Sequence, residues 1–256
     1  MRIGFFGDSL TEGLPGVPYV NILQERFPSD ELVNFGRAGD SVVGTLQRVR
    51  SLRGEKPFDL AFVWTGVNDV LARISWASPT TRRLTGKPWA DSRDEFIVQY
   101  RALLEALSPR TTRIVAVAPL FIGEDLSNPW NQELDVRARE MESLCSGFER
   151  VEFFNLRPFM SDVASGECAS PFVEKSGLGT VWEAIAFRDP EDVDRVASER
   201  GLCYTMDGIH LNSLGAKAVA DAFSERIRRV SGPQVQYQVR DSAARAVLPE
   251  ICATGR

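Results

Sequence analysis

Short apolar runs that close on glycine alternate along this chain with segments whose apolar residues step at three and four. Residues 2–7 are such a run ending at Gly7, and residues 18–27 then place Val20, Leu23 and Phe27 on one helical face. That pair reads as a strand followed by a helix. The pattern returns where Leu32 to Phe35 stops at Gly36 and Val42, Leu46, Val49 and Leu52 follow at helical spacing. Phe58 to Trp64 is a third strand, nearly continuous in apolar residues, as expected where helices cover both faces of a parallel sheet. Residues 92–107 form a helix through Phe96, Tyr100, Leu103, Leu104 and Leu107, and then come a strand at 112–118, a helix at 131–148 and a strand at 151–155. Repeated strand and helix alternation predicts an α/β fold, a doubly wound, mostly parallel sheet joined by right-handed crossovers.

The rhythm breaks between about residues 156 and 206, where Gly166, Pro171, Gly177, Gly179 and Pro190 interrupt it and one helix is expected at 190–200. We read this stretch as an insertion. A last strong helix spans about 213–230, with Leu214, Val219, Ala222, Phe223 and Ile227 on its inner side. The domain therefore covers residues 1–232, and residues 233–256 are a C-terminal extension. In that extension Val235 to Val239 alternates at period two, which suits an added strand or an arm that joins a homo-oligomer.

Composition narrows the class. The 256 residues are 43% hydrophobic and 25% charged, ordinary values for a globular protein, and no run approaches the roughly 18 apolar residues of a membrane span. The formal charge of −5 argues against nucleic acid or an anionic membrane as partner, since such binding rests on basic residues that neutralise phosphates. A small-molecule ligand is expected instead. The first apolar stretch is too short for a signal-peptide core, so residues 2–7 count as the first strand. Cys145, Cys168, Cys203 and Cys252 lie far apart with no C-x-x-C pair, which fits reduced thiols and a cytoplasmic location better than a disulfide framework, with a single bridge left open.

Candidate chemistry gathers where strands end. The single histidine, His210, stands in Asp207-Gly208-Ile209-His210, where a short turn lets the Asp207 carboxylate fold onto the imidazole Nδ1 and leaves Nε2 to accept a proton. Ser9, in Gly7-Asp8-Ser9-Leu10, follows directly on the first strand, at the carboxyl edge where α/β sheets bind ligands. It is the candidate nucleophile. The same triplet recurs at Gly39-Asp40-Ser41, but Ser41 immediately precedes a helix and suits an N-cap. Gly39, in the loop from Asn34 to Gly39, is placed to offer a backbone N–H to a developing oxyanion. Asn68, in Trp64-Thr65-Gly66-Val67-Asn68-Asp69, can add a side-chain amide donor, while Asp69 braces the loop.

Gly7-Asp8-Ser9-Leu10, the Gly39 loop, Gly66-Val67-Asn68-Asp69 and Asp207-Gly208-Ile209-His210 resemble, in order and spacing, the four signature blocks of the SGNH or GDSL hydrolases. The resemblance implies a flavodoxin-like sheet of five strands with helices on both faces. It also implies a Ser9, His210 and Asp207 triad with an oxyanion hole of Ser9 N–H, Gly39 N–H and the Asn68 amide. The function it implies is an esterase, lipase or acylhydrolase cleaving a carboxylic ester, thioester or carbohydrate O-acyl ester through a Ser9 acyl-enzyme. An acyltransferase with the same triad, or an inactive carbohydrate- or protein-binding module on this fold, is the alternative.

No cofactor and no metal is expected. The sequence lacks a G-x-x-x-x-G-K-[ST] phosphate loop, a G-x-G-x-x-G fingerprint and an H-E-x-x-H pair, and one histidine with scattered cysteines is a poor zinc set. The G-x-S-x-G elbow of other α/β hydrolases is missing too. Residues 70–90, which contain Trp76 and Trp89, are expected at the pocket rim, with Trp130 and Trp182 as further candidates to line it.

Overall fold

The computed structural model describes residues 1–74, 88–174, 187 and 189–231. Its strands are β1 (Arg2–Gly7), β2 (Glu31–Gly36), β3 (Phe58–Trp64), β4 (Thr111–Val117) and β5 (Val151–Phe154). All pair in parallel in the order β2-β1-β3-β4-β5. The helices of the first half are α1 (Ser9–Glu12), α2 (Tyr19–Arg26), α3 (Val42–Ser51) and α4 (Val67–Ile74). Those of the second half are α5 (Arg93–Leu107), α6 (Pro129–Cys145), α7 (Ser161–Ser165), α8 (Pro190–Glu199) and α9 (Ser213–Ser231).

Each strand end expected from the sequence falls within a residue or two of its place. Three short helices are additions to the expected elements: α1 directly after the first strand, α4, which runs into the start of the expected rim segment, and α7 within the expected insertion. The rim residues Trp76 and Trp182 and the extension 233–256 lie outside the described residues.

Strand alternation divides the core. Ile3 and Phe5 of β1, with Leu60, Phe62 and Trp64 of β3, pack on one side against α2 and α9. Phe6, Ala61, Val63, Ile114 and Ala116 face the other side, against α3, α5 and α6. Burial on both faces explains why these strands are apolar throughout.

Two features of this packing set up the chemistry. First, the register aligns Gly7 with Gly36 on β2 and with Trp64 on β3, so three strands release their chains at one level beside the point where strand order reverses. Second, the last helix docks at the sheet centre. Phe223 stacks on Phe62 at 4.4 Å and meets Tyr19 edge-on at 5.2 Å. Truncating so buried a ring costs about 3–5 kcal/mol in general. Docked there, α9 carries the turn that precedes it, including His210, back to the carboxyl edge.

Candidate active site

Asp8, not Ser9, caps α1. Its carboxylate accepts the Leu10 N–H at 3.0 Å, so the serine hydroxyl at the first helical position is left for other partners. The Ser9 Oγ lies 2.8 Å from Nε2 of His210, with both residues about 5% exposed. On the far side of the ring, Nδ1 lies 2.6 Å from Oδ2 of Asp207. The other oxygen of Asp207 accepts the N–H groups of Ile209 at 2.9 Å and His210 at 2.7 Å. Gly208 supplies the positive φ of 89° that lets so short a turn close.

Asp207 is fully buried. Burial pushes its carboxyl up, but the imidazole and the two N–H groups outweigh burial and hold it below its ordinary value. An ionised carboxylate only accepts, so a neutral imidazole carries its proton on Nδ1 and presents a bare Nε2 to the serine hydroxyl. The three residues together form a hydrogen-bonded relay from hydroxyl to imidazole to carboxylate.

The Gly39 loop is fastened from several sides. Gly39 has φ 69° in a turn that the Asp40 N–H closes onto the Arg37 carbonyl at 3.1 Å. The Asn68 amide, from the first turn of α4, donates to the Asp40 carbonyl at 2.9 Å. One of its two N–H groups is thus used to bring Asn68 beside the Gly39 loop. Asp69 accepts the Val42 N–H at 2.9 Å and the Ala90 N–H at 3.2 Å. Buried completely, its carboxyl is pushed up to about 6. The brace expected of Asp69 is therefore a tie between α4, the start of α3 and the segment at Ala90.

Arg48 is a component that sequence reasoning missed. Its guanidinium donates to the Asp40 carboxylate at 2.5 Å, to the Phe35 carbonyl at 2.5 Å and to the Gly7 carbonyl at 2.9 Å. One α3 side chain thereby gathers the ends of β1 and β2 and the loop between β2 and α3. Only the position of Arg48 two turns into a helix after a glycine loop hinted at this, a weak signal.

Of the tryptophans in the described residues, Trp130 packs against the core cluster shared by β1 and β3. Trp89 is half-buried between Pro88, whose carbonyl takes the Ser41 hydroxyl, and Ala90, whose N–H goes to Asp69.

The expectation of reduced thiols is corrected. Cys168 and Cys203 are joined by a disulfide, with Cα atoms 6.2 Å apart across a sequence separation of 35. The fold brings them together by turning the segment after α7 back against the one after α8, which spacing alone does not disclose. The ground for expecting a reducing compartment falls with it. These sulfurs and the Glu124 carboxylate converge closely enough to suggest a metal set, but the disulfide occupies both sulfurs. Cys145 is buried and unpaired by disulfide. Among the described residues no helix is long and apolar enough to cross a membrane.

Comparison with known proteins gives two results. Residues 5–173 match the model of the GDSL-like lipase/acylhydrolase family. Among solved structures, the chain resembles the acetyl xylan esterase AlAXEase with a TM-score of 0.62 and 20% identity, over 89% of this chain and 100% of that one. It also resembles a catalytic mutant of Axe2, an acetylxylan esterase from Geobacillus stearothermophilus, with a TM-score of 0.60, 17% identity and coverage of 91% and 94%. LAE5, an alpha/beta hydrolase from the metagenome of Lake Arreo, Spain, matches with a TM-score of 0.61, 18% identity and coverage of 90% and 96%. At these identities the structures share the fold. A search of curated protein sequences finds no match.

Proposed function

Since the chain belongs to the GDSL-like lipase/acylhydrolase family of ester-bond hydrolases, we propose that it works as a serine acylhydrolase with Ser9 as nucleophile, His210 as general base and Asp207 as the group that orients and charges the imidazole. The observation that carries this reading is the continuous contact from Ser9 Oγ to His210 Nε2 at 2.8 Å and from His210 Nδ1 to Asp207 at 2.6 Å.

In the first step Nε2 takes the hydroxyl proton as Oγ attacks the ester carbonyl. The imidazolium that forms faces a buried carboxylate whose pKa is already low, so it is stabilised where its charge develops. The negative oxygen of the tetrahedral intermediate is held by the N–H groups of Ser9 and Gly39 and by the Asn68 amide. Collapse of that intermediate returns the proton from His210 to the leaving alkoxide and leaves an acyl group on Ser9. Water then attacks the acyl-enzyme with the same histidine as base.

For the substrate we infer an O-acyl ester of a carbohydrate, with a short acyl group. Two acetylxylan esterases that span nearly the same length as this chain support that choice. The test is a fluorophosphonate probe mapped by mass spectrometry, followed by a panel running from acetylated xylo-oligosaccharides to long-chain esters and thioesters. Labelling at Ser9 with preference for acetylated sugars is the expected result. Labelling elsewhere would overturn the nucleophile, and preference for long acyl chains would overturn the substrate.

A further inference from the structure

Glu124 is a fully buried carboxylate outside the relay of Ser9, His210 and Asp207. Its Oε1 accepts the N–H groups of Tyr204 at 2.8 Å and Thr205 at 2.9 Å and the Thr205 hydroxyl at 2.8 Å, while Oε2 accepts the Cys203 N–H at 2.6 Å. Among the described residues it forms no ion pair. A buried charge without a counter-ion is costly, and successive backbone N–H groups converging on one anion are what offsets that cost.

The backbone that Glu124 grips leads straight to the base. Thr205 bridges antiparallel to Leu211, the Asn212 N–H donates to the Tyr204 carbonyl at 3.0 Å, and the Met206 N–H donates to the His210 carbonyl at 2.8 Å. Residues 203–206 are thus one arm of a small hairpin, and His210 begins the other. The grip itself has a rigid base. Asn131 of α6 bonds to the main chain of Ile122, Gly123 and Asp125, and the Gly123 N–H reaches the Gly208 carbonyl at 2.7 Å.

We propose that Glu124 is a positioning residue for His210. It fixes the height of the 203–211 hairpin over the sheet edge, so that Nε2 meets the Ser9 hydroxyl at bonding distance. The proposal rests on the reading of His210 as the catalytic base. In Glu124→Gln one oxygen survives, but an amide N–H then opposes the Cys203 N–H, so the hairpin shifts without a change of size. A displacement of about an ångström at a reacting pair can cost on the order of 100-fold.

The test uses the full chain without a histidine tag, so that His210, its single histidine, gives one set of imidazole resonances. Active sites are counted by fluorophosphonate titration, and turnover of nitrophenyl acetate is expressed per titrated site. Glu124→Gln is expected to lower kcat per site by about 10- to 100-fold, with KM within about two-fold. It should also move or broaden the low-field Nδ1 proton resonance of His210. Glu124→Ala, which leaves three N–H groups facing a cavity, should recover activity when formate is added.

Wild-type kcat per site and an unmoved His210 resonance in Glu124→Gln would overturn the proposal, even if thermal stability fell. Should Glu124→Ala fail to fold, the Glu124→Gln arm decides alone. If Ser9→Ala stays active while the His210 resonance still responds to Glu124, the catalytic reading fails and the positioning does not.

Discussion

The hydroxyl of Ser41 lies 2.5 Å from the carbonyl oxygen of Pro88, to which it donates, and it accepts the Gly44 N–H at 3.2 Å. The second Gly-Asp-Ser triplet is therefore occupied in capping α3, whereas Ser9 reaches an imidazole. Ser41→Ala is expected to cost about 1–2 kcal/mol of stability and to keep most of the esterase activity per folded molecule. Ser9→Ala and His210→Ala should each remove turnover with little change in melting temperature. Loss of activity in Ser41→Ala equal to that in Ser9→Ala would overturn the choice of Ser9 as nucleophile.

Asn68 has two duties, because the same amide that reaches the Asp40 carbonyl has a second N–H for an oxyanion. Asn68→Ala should lower kcat by about 10²- to 10³-fold, the usual loss for one side-chain oxyanion donor. Asn68→Asp keeps the shape but offers no donor, so it should be at least as impaired. Steady-state kinetics on a short nitrophenyl ester reads both, and activity retained in the aspartate variant would exclude Asn68 from the oxyanion site.

How far the sequence disclosed this site depends on how local each part is. Strands were legible because burial on both faces makes them apolar without interruption. The contact of Ser9 with His210 and Asp207 was legible because Ser9 is the first feature after a strand and the other two sit within one turn. Glu124 and Arg48 were not, since each acts on main-chain groups contributed by distant segments, 79 to 81 residues away for Glu124 and as much as 41 for Arg48. No local periodicity marks such a residue. α4 was missed for another reason: its first residues were read as a loop after the third strand, and residues 70–74 fall in a segment read for its aromatic content and not for its helical spacing.

Asp8 offers a test by pH. Burial pushes its carboxyl up to about 7, while the Leu10 N–H and His210 pull against that shift. In the unfolded chain the group ionises near its ordinary value, about 3.9. Between these two values the folded state holds a proton that the unfolded state has lost, so wild-type stability declines as pH rises through the window and the full penalty stands above about 7. Asp8→Asn keeps the oxygen that accepts the Leu10 N–H and has no charge to bury. Its melting temperature relative to wild type should climb from pH 4 to pH 7 and level off beyond. A difference that does not vary with pH would show that Asp8 is not protonated in the folded protein.

The disulfide separates stability from geometry in the same part of the molecule. Cys203 is held twice, through its N–H by Glu124 and through its sulfur by Cys168. The covalent link closes a loop of 35 residues, and on chain-entropy grounds such a loop stabilises the fold by roughly 3–5 kcal/mol. It does so mainly by restricting the unfolded chain, so it adds little to the position of His210 once the protein is folded. Cys168→Ser with Cys203→Ser, or reduction by dithiothreitol, should therefore lower the melting temperature by several degrees. At 25 °C kcat per titrated active site should stay within about two-fold of wild type, because the Glu124 grip on Cys203, Tyr204 and Thr205 uses main-chain N–H groups that survive both treatments. A large fall in kcat per site with an unchanged melting temperature would reverse the assignment and make the sulfur bridge, not the carboxylate, the element that holds the base in place.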